Sequence, residues 1–326
     1  MGGTHVLVTG AGGFIGRHLV RDQVGRGRRV RALDCRSQQL REDVEIVVGD
    51  VADVAVQRAA VAGVDVVFHL ASAHLETSLP DTEYHRINVA AVESLLEESR
   101  RAGVQRFVHV SSCGVHGSVR NGIADEDAPF RPTNIYERTK AAGEQVVRDF
   151  YRRYGLSVVV VRPAWVYGPG CKRTARLLRS IANGKFMMIG RGANRRSAVY
   201  ITDMLEALEL CAMQQGIDGE VFIVAQEEAA SVRELVDEMA RLTGAKLRRV
   251  RIPLSLGWVT AGLVEFSARA LGKQPPISRR TLKFFTNDAD FSAAKARRML
   301  GFEPQVSLRA GLELTYRWWR ENGGDA

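Results

Sequence analysis

The chain has 326 residues, with 46 lysines and arginines against 37 aspartates and glutamates and a formal net charge of +9. Hydrophobic residues make up 45% and charged residues 25%, which is typical of a globular enzyme and excludes a disordered or low-complexity chain. The basic residues lie in short, scattered clusters without an aromatic-interleaved stripe, so we expect no nucleic-acid partner.

Four cysteines are widely spaced and form no C-x-x-C pair: Cys35, Cys113, Cys171 and Cys211. This pattern indicates free thiols in a reducing compartment, so we predict a cytoplasmic protein without a bound metal. One apolar segment, Leu254 to Leu271, carries Glu265 and Arg269 and is too short for a convincing bilayer span. We interpret it as a buried or interfacial helix and expect no integral membrane span.

In the first half of the chain, short β-branched runs alternate with helical stretches. Strands are predicted at His5–Thr9, Val30–Asp34, Val44–Val48, Val64–Leu70, Arg106–Ser111 and Ser157–Val161, and helices at Phe14–Val24, Thr82–Ala102 and Ile135–Tyr154. The strands are almost entirely apolar, as expected where both faces of a parallel sheet are covered. The alternation gives right-handed crossovers, so the sequence predicts an α/β fold with a Rossmann-type doubly wound parallel sheet.

Beyond Pro163 the pattern loosens into shorter elements. Helices are predicted at Ala175–Ala182, Thr202–Gln214, Ser231–Leu242 and Leu308–Trp319, with strands at Ala198–Ile201 and Glu220–Val224. Ser231, with Glu234 three residues later, forms a capping box at one helix start. We predict a NAD(P)-binding domain at residues 1–168, to whose sheet later strands return. Residues 169–326 are predicted to form a smaller α/β domain that mainly binds substrate.

A glycine-rich turn joins the first predicted strand to the first helix. Gly10 permits the tight turn, Gly13 lets the backbone approach a pyrophosphate, and Gly16 lets the helix pack closely on the sheet. The helix N-terminus offers free N–H groups to phosphates. These features predict a dinucleotide site that includes Phe14 and Ile15.

Asp34 ends the second predicted strand, where its carboxylate can accept hydrogen bonds from the adenine ribose hydroxyls. This favours NAD as cofactor, because the 2′-phosphate of NADP would face a negative charge. Arg36 could instead pair with that phosphate, so NADP stays open. Asp50, followed by Val51, comes after the third strand and either lies near the adenine amine or is a simple turn aspartate.

Tyr136 and Lys140 are four residues apart on a predicted helix and therefore share a face. An ammonium close to a phenol stabilises the phenolate and lowers the phenol pKa from its usual value of about 10. Tyr136 could then exchange a substrate hydroxyl proton while hydride moves to or from a nicotinamide. Ser112 follows a predicted strand at the carboxyl edge of the sheet, where it either hydrogen-bonds the substrate oxygen or satisfies the loop backbone.

Several motifs recur together along nearly the whole chain: Gly10–Gly16, His69-Leu70-Ala71, Asn88-Val89, Ser111-Ser112-x-x-Val115-x-Gly117, Tyr136-x-x-x-Lys140 and Arg162-Pro163-x-x-Val166-Tyr167-Gly168-Pro169. This combination resembles the extended short-chain dehydrogenase/reductases, in their epimerase/dehydratase branch. The resemblance implies that Ser112, Tyr136 and Lys140 are catalytic, and that Lys140 also bonds the nicotinamide ribose with Tyr136 beside it. The other cofactor-lining residues that it implies are Leu70, Ala71, Asn88, Pro163 and Ala164.

The substrate side of the site is expected to include His74, Ser112, Trp165 and Arg196. Arg196 lies in a segment similar to the one that carries a phosphate-binding arginine in nucleotide-sugar enzymes, and a guanidinium suits a diphosphate. Dehydratases of this family carry an Asp-Glu pair where Cys113 and its neighbour stand here, which argues against dehydration. Trp165 stands where the family's 4-epimerases carry an asparagine.

The leading prediction is therefore an NAD(P)-dependent enzyme that transfers hydride at a ring secondary alcohol or ketone, with a nucleotide sugar as substrate. It would act as an epimerase or a 4-ketoreductase. One alternative is a 3β-hydroxysteroid or sterol dehydrogenase-like enzyme, because the apolar segment with Trp258 is similar to one in those proteins. Another is a non-catalytic dinucleotide sensor. The resemblance also implies a homodimer built on the helices at Thr82–Ala102 and Ile135–Tyr154.

Overall fold

A computed structural model describes residues 3–36, 43–74, 79–119, 122–247, 251–252, 254 and 279–323. Apart from residue 254, the apolar segment predicted as a buried or interfacial helix lies outside the described residues, and so does Trp258.

Seven strands form the central sheet: β1 (His5–Thr9), β2 (Arg29–Asp34), β3 (Val44–Val48), β4 (Val66–His69), β5 (Arg106–Val110), β6 (Val158–Pro163) and β7 (Val221–Val224). Their order across the sheet is β7-β6-β5-β4-β1-β2-β3, and every neighbouring pair is parallel. The order reverses between β1 and β4, which is the switch point where such sheets bind ligands beyond their carboxyl ends. The predicted Rossmann-type sheet is confirmed.

Helices connect and cover these strands: α1 (Phe14–Gly25), α2 (Val54–Val61), α3 (Asp81–His85), α4 (Ala91–Arg101), α5 (Ile135–Tyr154), α6 (Lys172–Ala182), α7 (Ile201–Met213), α8 (Val232–Thr243), α9 (Arg279–Thr286), α10 (Ala294–Leu300) and α11 (Leu308–Glu321). The bounds of α5 coincide with the prediction. The predicted capping box of α8 is also present, with the Ser231 and Glu234 side chains bonded to each other's backbone N–H groups.

Two α-helical elements in the first half of the chain differ from the prediction, and α9 and α10 in the second half were not predicted. The single helix expected over Thr82–Ala102 is divided into α3, a π-helical stretch at Arg86–Ala90, and α4. The helix α2 was not predicted, although Asp53 caps it by accepting a hydrogen bond from the Ala55 N–H at 2.8 Å. An aspartate before a short apolar run was therefore the available signal.

Two apolar layers enclose the sheet. One face packs against α1, α7 and α10, and the other packs against α2, α4 and α5. The expectation that every strand is covered on both faces is wrong for β3, where Ile46 and Val48 are 41% and 55% exposed. β3 lies at one edge of the sheet, and the apolar cluster on the α1 side includes Val44 of this strand but neither Ile46 nor Val48.

The C-terminal part has its own apolar core, which includes side chains of α6, α8, α9 and α11. Short strands also contribute side chains to this core. Two of them, Trp165–Tyr167 and Ala198–Tyr200, form a parallel pair. Arg195–Arg196 pairs with Ala230–Ser231 in antiparallel fashion. Among the helices that the structure describes, none is both long and apolar enough to cross a bilayer.

Candidate active site

The turn from β1 into α1 is built on backbone geometry that excludes side chains. Gly10 has a φ of +68°, and a Cβ there would lie 2.8 Å from the Ala71 backbone nitrogen. A Cβ on Gly16 would overlap the Gly10 carbonyl oxygen, so α1 can approach the turn only with glycine at that position. Gly13 is the N-cap residue of α1, and no side chain caps the helix. The first N–H groups of α1 are therefore left to an anionic ligand.

The side chains of Phe14 and Ile15, in the first turn of α1, pack partly against the C-terminal core. Their backbone N–H groups lie in the first turn of the helix, which no side chain caps. Asp34 ends β2 beside the same turn, and its Oδ2 accepts a hydrogen bond from the Gly12 N–H at 2.9 Å. Its Oδ1 accepts from the backbone N–H of Arg36 at 3.1 Å. The carboxylate is held at the carboxyl edge of the sheet, where the ribose was expected.

The segment after β4 is tied to the glycine turn through Thr9. The Thr9 hydroxyl lies 2.8 Å from Nδ1 of His69 and accepts a hydrogen bond from the Ala71 N–H at 3.2 Å. Leu70, between them, donates its N–H to the Thr9 carbonyl. The predicted cofactor residues Leu70 and Ala71 are therefore fixed directly above Gly10.

Asn88 lies in the π-helical stretch and is buried. Its Oδ1 accepts a hydrogen bond from the Ala73 N–H at 2.7 Å, and its Nδ2 donates to the Ala73 carbonyl at 3.1 Å and to the Thr139 hydroxyl at 3.0 Å. These bonds join the segment after β4 to α5. Asn88 would therefore contribute to a cofactor site by fixing the backbone of the segment after β4.

Both carboxylate oxygens of Asp50 have partners. Oδ1 accepts a hydrogen bond from the Ala52 N–H at 2.9 Å, which is the turn interpretation, and Oδ2 lies 2.8 Å from Nη2 of Arg86. Val51 is buried in the core beneath α2 and α4. The approach of Asp50 to an adenine amine stays a prediction.

The helix α5 presents Tyr136 and Lys140 on one face. Asn134 caps the helix, accepting the Glu137 N–H at 3.0 Å, and so fixes the turn that carries Tyr136. Lys140 is buried, and its Nζ donates a hydrogen bond of 2.6 Å to the Val110 carbonyl at the end of β5. Burial lowers the pKa of Lys140 to about 8, against the opposing charge of the Glu144 carboxylate.

Two histidines lie under Lys140 at the ends of β4 and β5. The rings of His69 and His109 stack at a centroid distance of 5.5 Å. Burial first, and then the charge of Lys140, lower the pKa of His69 to about 3, and the same influences lower the pKa of His109. Both rings are thus neutral near pH 7. His69 ends β4 and is buried.

Ser112 lies just beyond the strand whose last carbonyl holds Lys140. It caps a short 3₁₀ helix, Cys113–His116, with its hydroxyl accepting the Gly114 N–H at 3.0 Å. The predicted loop-backbone role of this hydroxyl is therefore present. The hydroxyl O–H can still donate to a substrate oxygen. The Cys113 thiol is buried and donates to the Arg162 carbonyl at 3.1 Å, and burial raises its pKa well above the ordinary value.

His74 contacts the ring of Tyr136. The two ring centroids are 5.1 Å apart at an interplanar angle of 62°, and the His74 carbonyl accepts the Tyr84 hydroxyl at 3.0 Å. The predicted substrate residue His74 is thus brought to the predicted acid–base residue.

The segment after β6 also lies at the carboxyl edge of the central sheet. Pro163 closes β6 beside β7, and the Ala164 N–H donates to the Val224 carbonyl at 2.9 Å. Trp165 packs on Tyr167, with ring centroids 5.4 Å apart. The guanidinium of Arg173, at the start of α6, lies 5.9 Å from the Trp165 ring centroid.

Arg196 is held in a largely buried position by the last turn of α9. Its Nη2 and Nε donate to the carbonyls of Lys283 and Phe284, each at 3.2 Å, and its guanidinium lies 4.6 Å from the Phe284 ring centroid. Burial and then the charge of Arg173 lower the pKa of Arg196 to about 9. Arg196 and Arg173 thus form a cationic corner suited to an anion.

The residues present fit a dinucleotide. Glycine backbone replaces side chains at the turn, the start of α1 lacks a side-chain cap, and Asp34 lies within hydrogen-bonding distance of the same turn. Among the described residues, no group of histidine, cysteine, aspartate and glutamate side chains is arranged to hold a metal ion.

Comparison with known proteins decides the family, because residues 6–225 match the NAD dependent epimerase/dehydratase family. The chain belongs to the NAD-dependent epimerase/dehydratase family. The predicted resemblance is confirmed, and so are the predictions of an enzyme and of NAD as its cofactor.

Relatives of this family member align with nearly its full length. N-acetyl-alpha-D-glucosaminyl-diphospho-ditrans,octacis-undecaprenol 4-epimerase of Escherichia coli O157:H7 is 27% identical, over 96% of this chain and 95% of the relative. Sterol demethylase protein B of Methylococcus capsulatus is 33% identical, over 97% and 98%. Among solved structures, MoeE5 in complex with UDP-glucuronic acid and NAD superposes with a TM-score of 0.79 at 30% identity, over 98% of this chain and 99% of that one.

Sequence reasoning missed two parts of the site in this family member. Arg173 was not assigned, because nothing in its local sequence indicates that α6 faces Trp165 and Arg196. Glu144 was not assigned either, although its spacing of four residues from Lys140 was an available signal.

Proposed function

We propose that this chain is an NAD-dependent enzyme that transfers hydride at a ring secondary alcohol or ketone of a nucleotide sugar, as an epimerase or a 4-ketoreductase. The observation that carries the proposal is the buried Lys140 on the Tyr136 face of α5, bonded to the last carbonyl of β5 beside Ser112. A dinucleotide sensor needs the glycine turn and Asp34 but has no use for this arrangement.

Each residue has a separate task in this proposal. Tyr136 takes the proton from the substrate hydroxyl, or returns it to the carbonyl oxygen, and the Lys140 ammonium stabilises its phenolate. Ser112 donates a hydrogen bond to the same substrate oxygen. NAD, when bound, accepts the hydride or gives it back. The glycine turn, Asp34, Leu70 and Ala71 hold the dinucleotide, with Pro163 and Ala164 against its nicotinamide.

The diphosphate of the substrate is the natural occupant of the corner formed by Arg173 and Arg196. An anion there relieves the repulsion between the two guanidinium groups. The solved relative with UDP-glucuronic acid and the epimerase acting on a diphospho-linked sugar support this substrate class.

A second candidate is oxidation of a sterol-like alcohol. The 33% identity to Sterol demethylase protein B favours it, together with the apolar sequence from Leu254 to Leu271. Trp165 would then line an apolar pocket. The two candidates share the Tyr136–Lys140 chemistry and differ in the use of Arg196.

Incubation with NAD or NADH and a panel of nucleotide sugars and sterols separates these candidates. Absorbance of reduced nicotinamide reports net oxidation or reduction, and proton NMR reports epimerisation. With a nucleotide sugar, Arg196→Ala should raise KM about ten- to a hundredfold, since a charged hydrogen bond contributes about 1.5–3 kcal/mol. Arg195→Ala is the matched control, because that side chain pairs with Asp290. Turnover of sterols alone, or an unchanged KM in Arg196→Ala, would contradict the nucleotide-sugar assignment.

The proposal includes a cytoplasmic homodimer. The free state of all four cysteines supports the compartment, and Cys35 among them is exposed. The dimer would pair the outer surfaces of α4 and α5, on which Arg100, Arg101 and Tyr154 are exposed. Light scattering with size-exclusion chromatography tests this arrangement, and a monomer at all concentrations would reject it.

A further inference from the structure

A third side chain completes the row on the inner face of α5. Tyr136, Lys140 and Glu144 are spaced by four residues, and so lie one above the other along the helix. Glu144 has no solvent exposure, and Lys140 has 3%. A carboxylate is thus buried one helical turn from the buried ammonium.

The partner of Glu144 is Arg162, at the end of β6. Nε of Arg162 donates to Oε2 of Glu144 at 3.0 Å, and Nη2 donates to Oε1, so the pair is bidentate. Nη1 of Arg162 donates to the Glu126 carbonyl at 2.8 Å and lies 3.1 Å from Nε2 of His116. The guanidinium also lies 4.8 Å from the Phe130 ring centroid. The Glu144 carboxylate is therefore held in one orientation by two hydrogen bonds from Arg162.

Stability alone does not account for this arrangement. A buried ion pair is often no more stabilising than a well-packed apolar pair of the same volume, because both ions lose their hydration. What the pair provides is a carboxylate held in one orientation, one helical turn from Lys140. The ion pair also joins α5 to the end of β6, because Arg162 directly precedes Pro163.

Among the described residues, the two histidine rings that face Lys140 add no negative charge. His69 on β4 and His109 on β5 are neutral rings with lowered pKa values, and Tyr136 lies on the same helix. Burial lowers the pKa of Lys140 to about 8, and the Glu144 carboxylate opposes that effect. Arg162 bonds both oxygens of this carboxylate.

We propose that Glu144 is a positioning residue of this enzyme: its carboxylate, oriented by Arg162, keeps Lys140 in the ammonium form against its burial. The inference rests on the proposed role of Lys140 in stabilising the Tyr136 phenolate. Glu144 itself does not touch the reacting atoms.

Titration of Lys140 by NMR tests the proposal without any substrate. Lysine ¹³Cε labelling gives one signal per lysine, and the signal absent in Lys140→Arg identifies Lys140. In Glu144→Gln the midpoint should fall by about one pH unit or more, which is the usual size of the effect of a nearby opposite charge. Glu98→Gln is the matched control. Glu98 is similarly buried, lies on the neighbouring α4, and pairs with Arg58.

A second variant protects the test against misfolding, because Glu144→Gln leaves Arg162 as an uncompensated buried charge. The double variant Glu144→Met with Arg162→Met removes both charges and keeps an apolar pair of similar size. It should also lower the Lys140 midpoint, but by less than Glu144→Gln does, because the positive charge of Arg162 is removed together with the carboxylate. An unchanged midpoint in the folded double variant would overturn the proposal.

The pH dependence of turnover separates this inference from the proposed function. In Glu144→Gln the alkaline limb of the rate profile should move to lower pH with Lys140, so the loss is larger at pH 8.5 than at pH 6.5. A purely structural role would lower the rate equally at both pH values. If the midpoint of Lys140 falls but no nicotinamide-linked turnover is found with any substrate, the positioning inference stands and the proposed function fails.

Discussion

At the scale of single residues, the site depends on how Lys140 is kept charged in a buried position. Its ammonium has a fixed acceptor in the Val110 carbonyl at 2.6 Å, and neutral histidine rings lie on the strands beneath it. Because burial disfavours the charged form, the working range of this lysine has an upper limit that an exposed lysine would not have.

The alkaline limb of the kcat/KM profile should reflect that limit. The ammonium of Lys140 is present below its pKa of about 8 and is lost as the pH rises through that value, so kcat/KM should decline above pH 8. In Lys140→Arg the side chain stays protonated, so the residual activity should show no such decline. A wild-type profile that stays flat to pH 10, or an unchanged limb in Lys140→Arg, would contradict the role of Lys140.

Tyr136, Lys140 and Ser112 could be predicted because the signals are local: a four-residue helical spacing and a serine after a strand. Arg173 could not, because its neighbours in space are Trp165 and an arginine from a separate strand. The partners of Arg196 are likewise carbonyls of α9, almost ninety residues away. Contacts of this range depend on how helices of the C-terminal part pack, which the sequence pattern does not specify.

At the scale of elements, the unit formed by β1, the glycine turn and α1 determines where a dinucleotide can bind. The turn works because Gly10 combines a positive φ with a close approach to Ala71, the first residues of α1 offer backbone N–H groups, and Asp34 reaches the turn from β2. The glycine spacing and the order of strand, turn and helix are short-range sequence signals, which is why the turn could be predicted. Its contacts with Asp34 and Ala71 join separate strands of the sheet.

Gly10→Ala tests that geometry. The added Cβ would lie 2.8 Å from the Ala71 nitrogen, so the segment after β4 must shift and NAD affinity should fall at least about tenfold, or 1.4 kcal/mol. Gly27→Ala is the control, since Gly27 has a φ of +75° with open space around its Cβ position. Both variants should lose about 1–2 kcal/mol of stability to backbone strain, and only Gly10→Ala should lose cofactor. Calorimetric titration with NAD measures the difference, and equal affinities would contradict the assigned turn.

The elements that were predicted incorrectly have a common physical cause. Hydrophobic periodicity reports which side chains are apolar, but it does not report sheet position or helix winding. An edge strand such as β3 therefore has the same sequence pattern as a central strand. The π-helical stretch at Arg86–Ala90 likewise has the pattern of an ordinary α-helix. The π stretch carries Asn88, whose bonds to Ala73 and Thr139 join α5 to the segment after β4.

At the scale of the whole molecule, the parallel sheet gathers the site from distant parts of the chain. The carboxyl ends of β1, β4, β5 and β6 supply the glycine turn, Ala71, Ser112 and Pro163, and α5 covers them with Tyr136 and Lys140. The α/β class could be predicted from alternating strands and helices. The strand order and the role of the C-terminal helices in holding Arg196 could not, because both depend on packing between elements far apart in sequence.

The most direct test of the account is the activity of Tyr136→Phe, measured together with its NAD affinity. The phenol is assigned to proton transfer in the transition state, so the variant should bind NAD within about threefold of the unsubstituted protein. Its turnover should fall by about 10²- to 10⁴-fold, the usual contribution of a positioned general acid–base group. A variant that binds NAD and turns over substrate at an unchanged rate would contradict the central claim.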